Sequence, residues 1–160
     1  MFKKDANLHK RVGVNGIIKD VLGLTHHEMQ KNDIVLQTAL SDEPAPYVLG
    51  DRVQLEQVFL NLIMNAIEAM NASSGRNVLG VKTEIGKNRE VLITVADSGP
   101  GIDADKIEKI FNTFFTTKQG GMGMGLSICR SIIEAHEGRI WASSEAPHGS
   151  VFYVELPSAA

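Results

Sequence analysis

The chain has 160 residues, enough for one domain around one core, with 43% hydrophobic and 22% charged residues in an ordinary globular balance. Its net charge of −3 provides no basic excess for nucleic acid. No apolar run reaches the ~18 residues of a membrane span and no signal-peptide layout opens the chain, so a cytoplasmic chain without direct membrane contact is expected, whether or not a longer parent protein is membrane-anchored.

Residues 1–11 are polar and basic and read as a disordered lead-in or the cut end of an upstream helix. Val14–Gln30 carries apolar residues at helical spacing, with Asn15 placed to cap it. Ile34–Leu40 alternates as a strand does, and Ser41–Pro46 is turn material. Asp51 is the expected N-cap of a long helix over Val53–Met70. Strands follow over Val78–Ile85 and Val91–Ala96, joined by a tight turn at Gly86–Arg89. Ile102–Phe111 reads as a short helix, and Asn112–Gly123 as an aperiodic loop rich in Thr, Gly and Lys. A helix over Met124–His136 and two strands, Gly138–Ser144 and Ser150–Leu156, close the chain. The single cysteine, Cys129, reads as a small buried apolar residue. The order predicts an α/β (α+β) two-layer sandwich: about five strands in a mixed, mostly antiparallel sheet, three main helices and a lid.

Three features carry candidate chemistry. The long helix is apolar over most of its circumference, and its remaining stripe holds Asn61, Asn65 and Glu68. Asparagine offers a neutral carbonyl oxygen, which suits Mg²⁺ when substrate phosphates supply the negative charge. Next, the strand ending at Ala96 runs into Asp97-Ser98-Gly99-Pro100-Gly101. There a carboxylate held at a strand end can accept from an exocyclic amino group, while Gly99 and Gly101 let a ligand approach the backbone. Finally, Gly121, Gly123 and Gly125 lead through Leu126 into a helix, where exposed N–H groups and the helix dipole favour phosphate. This glycine run does not follow a strand and lacks a Gly-Lys-Ser/Thr ending, which excludes the dinucleotide and P-loop folds. Between the turns, Phe111–Gln119 suggests a hinged lid, with Phe111 and Phe115 in the core and Lys118 reaching a phosphate.

In this order the segments resemble the catalytic ATP-binding domain of sensor histidine kinases, within the wider gyrase–chaperone–kinase–mismatch-repair ATPase superfamily. Asn61–Ala66 resembles the N box, Asp97–Gly101 the first glycine box, Phe111–Lys118 the F box and Gly121–Ser127 the second glycine box. The match covers residues 12–157. The resemblance implies that Asn65 ligates Mg²⁺, that Asn61 lies near the γ-phosphate or the metal's waters, and that Asp97 accepts from adenine beside Gly99 and Gly101. It implies further that Lys118 and the Gly121–Gly125 backbone, with Leu126, hold the phosphates of ATP. The F box departs from the family's pattern at Thr113, where proline is usual. His27-Glu28-Met29 lacks the Asn-Pro continuation of a phospho-acceptor motif, so His26 and His27 read as ordinary helix-end residues. The implied reaction moves the γ-phosphoryl of ATP to a histidine in a dimerisation domain outside this chain, for onward transfer to a response regulator. A serine-protein kinase of the anti-sigma type, a nucleotide sensor and an ATPase switch remain as alternatives.

Overall fold

The computed structural model describes residues 10–71, 76–112, 125–144 and 149–159. In chain order these form β1 (Arg11–Gly13), α1 (Val14–Lys31), β2 (Ile34–Ala39), β3 (Tyr47–Leu49), α2 (Arg52–Asn71), β4 (Asn77–Ile85), β5 (Glu90–Asp97), α3 (Gly125–Ala135), β6 (Arg139–Ser144) and β7 (Ser150–Pro157). A five-stranded sheet has the order β2-β4-β5-β7-β6. Only the β2–β4 pair is parallel, and every other neighbour is antiparallel. The expected mixed, mostly antiparallel sandwich is therefore the observed architecture.

Alternation decides which face is buried. Along β5, Val91, Ile93, Val95 and Asp97 are buried while the residues between them are half-buried. The buried row continues into β7, where Ile93 lies opposite Val154 and Val95 opposite Phe152. The helices pack on this side. Leu55, Phe59, Leu62 and Ile63 of α2 are at most 1% exposed, and Cys129 and Ile133 of α3 are fully buried. Each large side chain so buried contributes about 1.5–3 kcal/mol relative to exposure. The core reading of Cys129 and of Phe111 holds, and Phe111 meets Phe152 edge to face at 6.1 Å.

The structure departs from the sequence reading in four places. Ile102–Phe111 is a succession of turns rather than a helix. Its bonds from Lys106 N to Asp103 O, Lys109 N to Lys106 O and Asn112 N to Lys109 O span three residues, and only Ile110 N to Lys106 O spans four. Asn15 does not cap α1, because Gly13 stands at the N-cap without a side-chain bond and Val14 N donates instead to Pro46 O. Asn15 is buried one residue further on, donating to Ser41 O at 2.7 Å and accepting from Thr83 Oγ1 at 2.9 Å. Arg11, read with the polar residues 1–11, is part of β1, which pairs with β3 in a small second sheet. Finally, the strand expected over Ile34–Leu40 forms as β2, parallel to β4 at the sheet edge, but without alternating burial: Ile34 is half-buried and the residues after it are exposed. Asp51 does cap α2, its Oδ1 accepting from Gln54 N at 3.1 Å.

Candidate functional site

Period two along β5 brings Asp97 to the helix-facing side at the strand's last position. A buried carboxylate there requires partners. It accepts from the backbone N–H of Gly99 through Oδ1 at 2.8 Å and from the hydroxyl of Ser150 through Oδ2 at 2.8 Å. Ser150 is placed by register, directly opposite Asp97 on β7 and on the same face.

The turn after Asp97 is held on three sides. Val78 N donates to Ser98 Oγ, which in turn donates to Arg76 O, both at 2.9 Å. Gly149 N donates to Gly99 O at 2.6 Å, and Ile102 N donates to Ser144 Oγ at 3.1 Å. Gly101 takes φ +90°, in the left-handed region, and a Cβ there would meet Ser144 Oγ at 2.8 Å. A Cβ on Gly99 would stand 3.2 Å from Ala69 of α2. Gly101 is thus favoured by its backbone conformation and by close approach, and Gly99 by a tight fit against α2.

Helix α2 connects this turn to α3. Asn61, Asn65 and Ala69 follow one another at i, i+4 and i+8, a single row on the helix surface about 12 Å long at 1.5 Å per residue. At one end of the row, Asn61 Nδ2 donates to Cys129 Sγ of α3 at 3.6 Å. At the other, Ala69 lies close enough to Gly99 to meet any Cβ placed there. Asn65 lies between them, half-buried, and Glu68 is exposed. Cys129 is one turn into α3, whose first residue, Gly125, is buried and is followed by the half-buried Leu126. The orphan N–H groups of a helix start carry a partial positive charge. Burial pushes the Cys129 thiol up to about 11, with the Asn61 hydrogen bond acting in the opposite sense.

Asn61 thus meets α3 at Cys129, four residues after Gly125 and three after Leu126, and Asn65 lies between Asn61 and the Ala69 end of the row, where Gly99 follows Asp97 and precedes Gly101. Lys118, Gly121, Gly123, Thr113, Phe115 and the rest of the lid segment lie outside the described residues. Sequence reasoning missed Ser150, Ser144 and Gly149, which build the floor of the Asp97 turn. The strand starting at Ser150 was legible, but its register against β5 was not.

A second set of contacts sets the position of α2. His136, 5% exposed at the end of α3, accepts the backbone N–H of Asp51 on Nε2 at 3.1 Å, and its Nδ1 lies 2.7 Å from Ile132 O. This pairing selects the neutral tautomer with the proton on Nδ1. Gly50 leaves room for the ring, since a Cβ there would stand 2.6 Å from His136 Cδ2.

Among the described residues no group of three or more His, Cys, Asp or Glu side chains is placed to hold a metal ion. Neutral asparagine oxygens beside a helix start match a cation that arrives with phosphates. No helix of the described residues is long and apolar enough to cross a membrane.

Residues 50–160 match a family model described as histidine kinase-, DNA gyrase B-, and HSP90-like ATPase. The chain is 43% identical over 94% of its length to the sensor protein FixL of Bradyrhizobium diazoefficiens, covering 30% of that protein. It is 36% identical over 97% of its length to the sensor histidine kinase TmoS of Ectopseudomonas mendocina, covering 16% of it. The chain thus spans less than a third of these relatives. Among solved structures, the catalytic domain of histidine kinase ThkA superposes with a TM-score of 0.81 at 36% identity, with 92% of this chain and 94% of that one covered. ThkA has also been solved in complex with the response regulator protein TrrA, a structure matched with a TM-score of 0.79 at 34% identity over 94% of this chain and 42% of that one.

Proposed function

The chain belongs to the histidine kinase-, DNA gyrase B- and HSP90-like ATPases, and among them to the catalytic domains of histidine kinases; on that premise we propose that it binds Mg·ATP and donates the γ-phosphoryl group to a histidine outside this chain. The observation that supports this most is the α2 row itself. Asn61, Asn65 and Ala69 join the helix that opens at Gly125 to the turn that holds Asp97.

In this reading Asp97, fixed by Ser150 and Gly99, accepts from the adenine amino group, and Gly101 lines that pocket. Asn65 supplies an oxygen to Mg²⁺, and Asn61 stands one turn away near the γ-phosphate end. Lys118 and the backbone from Gly121 to Gly125, with Leu126, hold phosphates. When bound, Mg²⁺ neutralises charge on the phosphate oxygens. The chain's own contribution is position and electrostatics, because phosphoryl transfer requires little covalent work from the protein. Neither asparagine can act as general base toward water, so the side chains of the row favour transfer over hydrolysis. The partners in this reading are the dimerisation and phospho-acceptor domain of a longer kinase and, after it, a response regulator of the kind that the ThkA complex contains. His26 and His27, exposed on α1, are not the acceptors.

The test mixes the chain with radiolabelled Mg·ATP, with and without a histidine-bearing dimerisation fragment. Label is expected on the fragment's histidine, labile to acid and stable to alkali, with none on the chain alone. Acid-stable label on serine, or steady ATP hydrolysis by the chain that Asn61→Ala abolishes, would overturn the proposal.

A further inference from the structure

The contact between Asn61 and Cys129 has a polarity. The thiol sulfur lies 3.8 Å from the carbonyl oxygen of Val58 and donates to it, while accepting from Asn61 Nδ2 at 3.6 Å. Val58 and Asn61 are at i and i+3 on α2, so one sulfur on α3 spans two neighbouring positions of the facing helix. A thiol has a single proton. With that proton directed at Val58 O, the sulfur offers only a lone pair to Asn61, and the amide must meet it with N–H rather than C=O. An amide held by its nitrogen turns its oxygen the other way, off α3.

We propose that Cys129 is a positioning residue for the nucleotide site: its buried thiol fixes the flip of the Asn61 amide, so that Oδ1 is presented as an acceptor to the metal-coordinated water at the phosphate end of Mg·ATP. The inference rests on the Asn61 assignment made above and adds which atom of that side chain faces the ligand. A neutral thiol is needed for it, and a site as dry as this one, with Cys129 fully buried, keeps the proton on sulfur. A valine at position 129 keeps a comparable apolar volume and an alanine removes the sulfur's volume, yet both leave the amide's two orientations undirected. Serine restores a group that donates once and accepts from Asn61.

Two measurements decide the matter. In the nucleotide-free chain, the side-chain amide resonances of Asn61 are expected to shift in Cys129→Ala and Cys129→Val and to return toward wild type in Cys129→Ser. In binding titrations, Ala and Val are expected to lower the ratio of Mg·ATP affinity to metal-free ADP affinity roughly three- to tenfold, as expected for one misdirected hydrogen bond, with Ser recovering most of it. Melting temperatures are read alongside, because a role in packing alone would lower ATP and ADP affinity together with stability and leave the ratio unchanged. That outcome overturns the proposal. So does a Cys129→Ala effect that persists in full in the Asn61→Ala background, since the sulfur would then act on something other than Asn61. If Asn61→Ala itself leaves the ratio at the wild-type value, the Asn61 assignment under the proposed function fails first. A changed ratio in Asn61→Ala beside an unchanged one in Cys129→Ala removes only the positioning role.

Discussion

Ser150 donates its hydroxyl to Asp97 Oδ2 across the β5–β7 ladder at 2.8 Å, with both residues less than a tenth exposed. This bond ties the residue proposed to read adenine to the start of the last strand, some fifty residues later in the chain. Ser150→Ala removes one hydrogen bond from a buried carboxylate. A loss of about 1–3 kcal/mol in denaturant unfolding is expected, with weaker ATP and ADP binding in parallel. Ser150→Thr keeps the hydroxyl and should retain most of both. An alanine variant as stable as wild type would show that water replaces the bond without loss.

Asp97→Asn exchanges an acceptor-only group for one that also donates. ATP and ADP are expected to weaken alike, by an order of magnitude or more, while inorganic tripolyphosphate binds nearly as before. Competition titrations with a fluorescent nucleotide measure all three. Equal losses for tripolyphosphate would place Asp97 on the phosphates instead of the base.

Asn65→Ala removes the oxygen proposed for Mg²⁺ from the middle of the α2 row. The Mg²⁺-dependent part of ATP affinity should disappear while far-UV circular dichroism and the melting temperature stay close to wild type, because Asn65 is half-buried beside a core that other residues fill. Undiminished Mg²⁺ dependence would remove Asn65 from the site.

Gly101→Ala puts a Cβ on a residue at φ +90°, within 2.8 Å of Ser144 Oγ. The left-handed conformation alone costs about 1–2 kcal/mol for a non-glycine residue. Unfolding free energy should fall by at least that amount, and nucleotide affinity should fall with it, as the Asp97 turn shifts. A variant that melts like wild type would mean that the turn reorganises freely.

Alkaline pH reads out Cys129. The unfolded thiol ionises near 9.0, whereas burial holds the folded one at about 11. A folded value above the unfolded one means that the contribution is complete below the unfolded value and is lost as pH rises through the window between the two. Wild type should therefore lose stability relative to Cys129→Ala between about pH 9 and pH 11, in urea titrations taken at each pH. The native thiol should also resist alkylation at neutral pH and react on unfolding. Parallel pH profiles for the two proteins would contradict the burial argument.

Much of the fold was legible because its signals are local. The alternation in Val91–Ala96 defines β5, the helical spacing of Val53–Met70 together with Asp51 defines α2 and its start, and Gly86–Arg89 marks the hairpin. The short helix expected over Ile102–Phe111 failed for a physical reason. Its acidic start and apolar residues satisfy a helical pattern, but Ile110 and Phe111 bury themselves from a chain of three-residue turns. Asn15 misled in another way, since a residue type favoured at caps serves here as a buried bridge to Ser41 and Thr83.

The site divides along the same line. Sequence by itself determined the candidate chemistry: asparagines four residues apart on one helix, a carboxylate ending a strand before Gly-Pro-Gly, and glycines opening a helix, because each depends only on residue type and short spacing. Only the tertiary structure decided what holds those groups. Register across β5 and β7 places Ser150 against Asp97, the packing of α2 on the first glycine turn places Ala69 against Gly99, and the packing of α2 on α3 places Cys129 against Asn61. These pairings join residues from 30 to 68 positions apart. No local pattern encodes them, because they arise when separately legible elements bury their apolar faces against one another.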